Sequence, residues 1–225
     1  MRKSILSLVF SVLLATMGFT TSSNALGLEG LGIGFSVGTA GYYAIGEEIE
    51  DNNPPGVDDT KQAGAFQNDI GSVFIEYTAG RATVGIDYHL KDIETPSNTN
   101  MQFTSATSQV NLTNTVKATF KNHVTAYISV PVFHALYLKA GGIMVDITTQ
   151  EKLGTGGQYG NTDTTGITAG FGLSHEIQDG VSVRAEALFA QYDDVTVTNS
   201  NNTTTSVSVE DMMGASGRIS IVKTF

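Results

Sequence analysis

Four histidines, His89, His123, His134 and His175, are the imidazoles that this 225-residue chain offers for acid–base chemistry. A general base needs a partner within hydrogen-bond reach and a third group to orient it. His123 shares its face with Lys117, Lys121 and Thr125, with no serine or carboxylate in register. A hydrogen-bonded interior residue is therefore the plainer reading, and no catalytic set, and hence no enzyme, is expected. The glycine runs Gly30-Leu31-Gly32-Ile33-Gly34 and Gly154-Thr155-Gly156-Gly157 lack the following helix and the Lys-Ser or Lys-Thr that a phosphate loop requires. They read as strand and loop glycines, and no cofactor is expected. Asp51, Asp58 and Asp59 carry the hard oxygens that Ca²⁺ takes, but their spacing fits no Ca²⁺ loop, so no metal site is assigned.

The charged residues form a more informative set. Glu76, Asp87, Glu176 and Glu186 fall with Lys117, Lys121, Lys139, Arg184 and Arg218 on the polar faces of two-residue alternations. Val84, Ile86, Tyr88 and Leu90 oppose Gly85, Asp87, His89 and Lys91. Val181, Val183, Ala185, Ala187 and Phe189 oppose Ser182, Arg184 and Glu186. Ala118, Phe120, Val124, Ala126, Ile128 and Val130 oppose Lys117, Thr119, Lys121, His123, Thr125 and Tyr127. Mixed signs on one face suit an enclosed network of ion pairs. The excess acid lies instead between the alternating segments, at Glu47, Glu48, Glu50, Asp51, Asp58 and Asp59, and at Asp193 and Asp194.

Eight segments can position that network: 31–46, 68–79, 81–94, 112–130, 134–149, 164–177, 181–197 and 205–225. The links alternate, with short ones at Ala79-Gly80-Arg81, Pro131-Val132-Phe133 and Gln178-Asp179-Gly180. Long ones at 47–67, 95–111, 150–163 and 198–204 are rich in Asn, Thr, Gly and Asp. Strands that cross an outer membrane need about 9–11 residues and come in even numbers, with short turns on one side and long loops on the other. The pattern predicts an all-β, antiparallel up-and-down transmembrane β-barrel of eight strands. Ten strands is the alternative, if Met101, Phe103 and Val110 form an extra hairpin in 95–111.

The ends and the composition agree. Arg2 and Lys3, the apolar run Ile5 to Phe19 and Ser23-Asn24-Ala25 predict an export signal cleaved after Ala25, leaving 26–225 as one barrel domain. The formal charge of −10 becomes −12 once Arg2 and Lys3 are gone, which argues against nucleic acid. Cysteine is absent, so no disulfide braces an exported chain; a closed sheet, with every edge paired, can do so instead. Apolar faces free of charge across their middles are needed only against hydrocarbon, where a midplane Lys or Arg costs about 2–4 kcal/mol. Asn122 is the main exception on those faces. Tyr42, Tyr43, Tyr77, Tyr88, Phe189, Tyr192 and Phe225 gather toward strand ends, as interfacial rings do.

With Leu136-Tyr137-Leu138-Lys139-Ala140-Gly141-Gly142, Val183-Arg184-Ala185-Glu186-Ala187 and Ile219 to Phe225, the chain resembles the small outer-membrane barrel superfamily that includes the OmpA transmembrane domain and the OmpX and opacity proteins. The resemblance implies a terminal assembly signal carried by Ile219, Ile221 and Phe225, although Lys223 stands where the family usually has an apolar or aromatic residue. It implies barrel-assembly machinery and periplasmic chaperones as partners during biogenesis, then outer-membrane lipid and lipopolysaccharide, with a surface ligand open. Two functions follow as expectations: a side-chain-filled barrel with a structural or surface-interaction role through acidic outer loops, or a small channel for small or hydrophobic solutes, as in the OmpW-like barrels. Deleting Phe225 is expected to lower the amount of folded barrel at the cell surface and leave misfolded chain in the periplasm. Surface levels equal to wild type would remove the terminal-signal reading.

Overall fold

The structure, a computed structural model, describes residues 29–50, 60–105, 108–154 and 156–225. The expected signal, 1–25, and the loop acids Asp51, Asp58 and Asp59 lie outside the described residues. Eleven strands follow in order: β1 (Leu31–Glu50), β2 (Thr60–Ala79), β3 (Ala82–His89), β4 (Ile93–Glu94), β5 (Asn98–Ser105), β6 (Ser108–Phe133), β7 (Leu136–Leu153), β8 (Thr162–Gln178), β9 (Val181–Tyr192), β10 (Val195–Thr198) and β11 (Thr205–Thr224). Neighbours pair antiparallel as β1-β2-β3-β6-β7-β8-β9-β11, and β11 pairs back onto β1 from Gly32↔Thr224 to Glu50↔Thr205. The ring therefore has eight staves and closes through β1 and β11, although β2 above Ser72 has no ladder partner on the β3 side among the described residues. β4 and β5 continue the β3 stave along β6, and β10 continues β9 along β11.

Segment 95–111 accordingly holds a hairpin, β5 on the start of β6, which extends the wall without adding members to the ring. The short turns lie at one end. Two contain Gly80 and Gly180 in the left-handed region, with φ of 62° and 66°. The third is His134-Ala135, because β6 runs on through Pro131 to Phe133 and takes up the whole of the expected turn. The staves are long: β6 has 26 residues. At about 3.3 Å per residue it spans about 85 Å along the strand, and still about 65 Å once tilted by about 40°. Hydrocarbon is about 30 Å thick, so the wall rises well past the membrane on the loop side.

The outward face of the turn half is apolar. Ile33, Phe35, Val37, Val73, Val84, Ile128, Leu138, Phe171, Phe189, Ile219 and Ile221 are all well exposed there, while polar side chains point inward. Above this belt the assignment reverses, and two β-bulges do the reversing. In β6 the register against β7 slips between Lys121 and Val124, with Asn122 at φ 51°. In β11 the register against β1 slips opposite Tyr43 and Ile45, with Asp211 at φ 51°. One extra residue moves every later side chain to the other face. Phe120 and Ala118 thus point inward, with Phe120 opposite the buried Ile147, and not toward lipid as the uninterrupted alternation predicts. Lys121 and Lys117 point outward. Val209 likewise joins Met212, Val195, Ile147 and Val197 in an apolar cluster inside the outer half.

Asn122 is suited to its place, since Asn tolerates the left-handed conformation better than most side chains. Its Nδ2 donates to Asp146 Oδ2 at 2.9 Å, which occupies the amide at the top of the apolar belt. Asn122→Gly should fold with near-unchanged stability, whereas Asn122→Val should lose about 1–2 kcal/mol from the left-handed backbone alone. Urea titration of the refolded barrel in lipid vesicles, followed by heat-modifiable gel mobility, measures both. Equal stability of the two variants would show that the bulge is not a fixed feature.

An ion-locked lumen as the candidate functional site

In the turn half, alternation sends the polar face of every stave into a lumen narrow enough for side chains from opposite walls to meet. Arg184 reaches from β9 to Glu76 on β2 and donates twice, NH1 to Oε2 at 2.9 Å and NH2 to Oε1 at 2.6 Å. Arg218 on β11 donates Nε to Glu186 Oε2 at 2.5 Å and NH1 across the lumen to Asp87 Oδ2 on β3 at 2.8 Å. Lys139 on β7 donates to Glu186 Oε1 at 3.1 Å, and its ammonium lies 3.7 Å from the Tyr127 ring centroid. Tyr127 and Tyr137 donate their hydroxyls to Glu76 at 2.8 Å and to Glu186 at 2.7 Å. Three carboxylates thus face three cations, and Asp87 at 1% and Glu76 at 3% exposure are as buried as core residues. Charges so far from water persist only when paired and hydrogen-bonded, and this set is both.

The two tyrosines fit because glycine stands beside each. Gly85 pairs with Tyr127 and Gly172 with Tyr137. A Cβ on Gly85 would come within 2.5 Å of the Tyr127 ring, and one on Gly172 within 2.3 Å of the Tyr137 ring. The missing side chains let both rings lie across the lumen and present their hydroxyls to carboxylates.

Toward the loop end, Ser36 and Ser72 share a 2.6 Å hydrogen bond. The rings of His89 and His123 stack at 4.1 Å, and His123 Nε2 lies 3.1 Å from the Tyr192 hydroxyl. They border a cavity of about 50 Å³ walled also by Ala40, Ile70 and Ile143. That is room for one or two waters, given about 30 Å³ for each in the liquid. The apolar cluster around Ile147 lies above.

Of the residues expected to form the network, Glu76, Asp87, Lys139, Arg184, Glu186 and Arg218 converge in the lumen. Lys117 and Lys121 do not, because the bulge at Asn122 turns them outward; Lys117 bonds Glu94 at 2.6 Å in the outer wall. Glu176 also lies apart, exposed at the turn end, where Oε1 accepts from the Gly180 amide at 2.9 Å. Ile219 and Ile221 face outward, and Phe225 is tied by its amide to Leu31 O and by its carbonyl to Gly30 N, both at 2.8 Å. Two further histidines stand clear of the network: His175 is exposed and His134 sits in its turn against Phe133. The network's tyrosines, Tyr127 and Tyr137, were not anticipated. The usable signal was a tyrosine on a polar strand face with glycine across the ladder.

A closed antiparallel ring, apolar outside and ionic within, defines a transmembrane β-barrel. The sequence matches the family described as "Outer membrane protein beta-barrel domain" over residues 11–210, and the chain belongs to that family. Among solved structures it is similar to the outer membrane protein OprG from Pseudomonas aeruginosa, at 11% identity over 88% of this chain and 98% of that one, with a TM-score of 0.51. It is also similar to the outer membrane protease OmpT from Escherichia coli (8% identity, 87% and 96% covered, TM-score 0.48) and to Ail, the attachment invasion locus protein of Yersinia pestis (15%, 85% and 99%, TM-score 0.27). These likenesses concern the fold. Comparison with curated proteins gave no match.

Replacing Arg184 by Ala leaves the Glu76 carboxylate buried without its cation, and a loss of about 3–5 kcal/mol in barrel stability is expected. Lys117→Ala, in the exposed wall, should leave the unfolding midpoint where it is. Denaturant titrations of both in vesicles make the comparison; a loss under about 1 kcal/mol for Arg184→Ala would mean that water reaches the lock.

Proposed function

We propose that this outer-membrane barrel is a non-enzymatic, end-to-end closed protein that holds a tall, rigid wall above the membrane for structural or surface-interaction work. The supporting observation is the lock itself. Arg184 and Arg218 cross from one wall to the other, so a hydrated ion can pass only if both release buried carboxylates. The loops above the lock are braced for display. Asn199 Oδ1 accepts from the amides of Gln158, Asn201 and Asn202, joining the β7–β8 loop to the β10–β11 loop. Export through the 1–25 signal belongs to the same proposal.

A second reading has its own support. Above Ser72↔His89, β2 has no ladder partner on the β3 side among the described residues; single bonds such as Leu90 N to Gly71 O (2.9 Å) bridge the seam. With an apolar cluster inside at the same height, a small hydrophobic solute could enter from the loop end and leave sideways through that seam. Single-channel recording of the purified barrel in planar bilayers is expected to be silent, and steady openings would overturn the closed reading. To separate the second reading, cysteines at Gly71 and Leu90, which stand opposite each other on the outward face where Leu90 N donates to Gly71 O at 2.9 Å, can staple the seam. Loss of hydrophobic-solute uptake on oxidation would favour sideways passage, and unchanged uptake would leave the closed barrel.

A further inference from the structure

β2 leaves its partner part-way up the wall. Ser72↔His89 is the last rung of its ladder with β3, and one further bond, Leu90 N to Gly71 O at 2.9 Å, follows. Continued upward, that register sets Asp69 opposite Asp92, both exposed. Like charges directly opposite disfavour pairing, which accounts for the end of the ladder. Above this point, among the described residues, β2 pairs with β1 alone and β5 with β6 alone. Two open edges therefore face each other across a slot in the part of the wall that stands in water.

Paired strands lie about 4.8 Å apart, so a strand seated between two others holds them about 10 Å apart. The Cα atoms of β2 and β5 keep more than 8 Å of separation along nearly all of their length. Side-chain amides cross the slot where no backbone does. Asn98 Nδ2 donates to Gln62 Oε1 at 3.2 Å, and at the root Asn68 Nδ2 donates to the Glu94 carbonyl at 3.0 Å. Backbone polar groups alternate in direction along a strand. Gly71 points its carbonyl at β3, and Asn68 points its own at β1, where it accepts from Thr39 Oγ1 at 3.3 Å. Ala63, Ala65, Gln67 and Asp69, in step with Gly71, thus turn their amides and carbonyls into the slot. Open edges are ordinarily guarded by charge or proline. Residues 62–68 and 98–105 contain neither.

Charge at the root of the slot selects among extended chains. An open cleft of about 440 Å³ lies there, lined by Asn68, Leu90, Lys91, Asp92 and Glu94. Asp69, Asp92 and Glu94 stand against Lys91 and Lys117, and Lys117 is already held by Glu94 at 2.6 Å. Asp69 and Asp92 make no ion pair or side-chain hydrogen bond among the described residues. A cation set between them relieves their repulsion. We propose that the slot between β2 and β5 is a docking site for an extended basic segment of another protein, which pairs as a strand along Ala63–Asp69 and places a Lys or Arg between Asp69 and Asp92. The site rests on the surface-interaction reading and names its partner class. Steady openings in planar bilayers would overturn the closed barrel and leave the slot as it is, so the two can fail separately.

The test uses the purified full barrel in neutral detergent and fluorescence anisotropy of labelled peptides. The probe is a short peptide alternating Lys and Thr. Its controls are the same peptide N-methylated at every residue, which keeps each charge but has no backbone donor, and a version with Glu for Lys. The probe is expected to bind, and the N-methylated form about tenfold or more weakly, since several backbone hydrogen bonds go. Asp69→Asn and Asp92→Asn should each weaken the probe about threefold, as for one exposed ion pair. Ala65→Pro removes an amide that points into the slot and none from the β1–β2 ladder, so it should abolish binding with wild-type heat-modifiable mobility. Ala65→Ser, which keeps the amide, should bind as wild type. Absence of probe binding, equal binding of the N-methylated peptide, or wild-type affinity in a folded Ala65→Pro barrel would overturn strand docking. The N-methylated arm needs no variant and stands whether or not Ala65→Pro folds. Equal binding of the Glu peptide would overturn the basic partner.

Discussion

Hydrocarbon against the outer wall sets the terms for everything inside this barrel. A stave facing lipid on one side must turn its polar side chains toward the lumen, and eight staves leave too little room there for those side chains to remain in bulk water. Each charge that enters has to find its opposite within the same enclosure. Three carboxylates and three cations do so, with two tyrosine hydroxyls supplying further bonds to the carboxylates. A buried ion pair is weak as a source of net stability compared with well-packed apolar groups, because desolvation offsets most of the attraction. What it gives here is orientation. A one-residue slip of β9 would put Arg184 and Glu186 into lipid and leave their partners alone, so the lock excludes alternative registers far more strongly than an apolar filling would.

The constraint holds only at membrane height. Above it the outer surface meets water, and the favourable arrangement is the reverse: apolar inside, polar outside. β7 meets the change through composition, with Ile143, Val145 and Ile147 inward and Asp146 and Thr148 outward on an unbroken alternation. β6 and β11 meet it with an inserted residue. Asn122 and Asp211 both adopt the left-handed conformation at bulges near the top of the belt. Asp211 is held further by its amide, which donates to Asp194 Oδ1 at 3.2 Å. The chain thus builds a membrane barrel and a water-exposed barrel on the same staves, joined at a boundary that two bulged residues mark.

Much of this was legible because period two is strong wherever one face touches lipid. The eight staves, the short turns at one end and six of the nine charged residues assigned to the lumen could be read from alternation and sign. What escaped was every feature that changes phase. Asn122 stands out as a polar residue on an apolar face and Asp211 does not stand out at all, but no local pattern announces left-handed backbone at either; hence the expectation of Lys117 and Lys121 inside and Phe120 outside. Glu176 escaped for another reason: alternation says which face a residue takes but not how far along the axis it lies, and at the turn end the polar face already meets water. The β5 hairpin could not be told from a loop, because above the membrane neither face has to be uniformly apolar.

The missed tyrosines and the unread bulges have one cause. Both depend on what stands across the ladder rather than along the chain. Tyr127 crosses the lumen because Gly85 opposes it on β3, 42 positions earlier, and Tyr137 because Gly172 opposes it on β8. Lys121 faces outward because β7 supplies two steps, Asp146 to Met144, where β6 supplies three, Lys121 to Val124. A barrel closed through β1 and β11 couples every stave to two others, so a single inserted residue is absorbed only if both neighbours accept the new phase. Two bulges on separated staves, each near the same height, are the solution that keeps the lower registers fixed by ion pairs while the upper half turns its apolar residues inward.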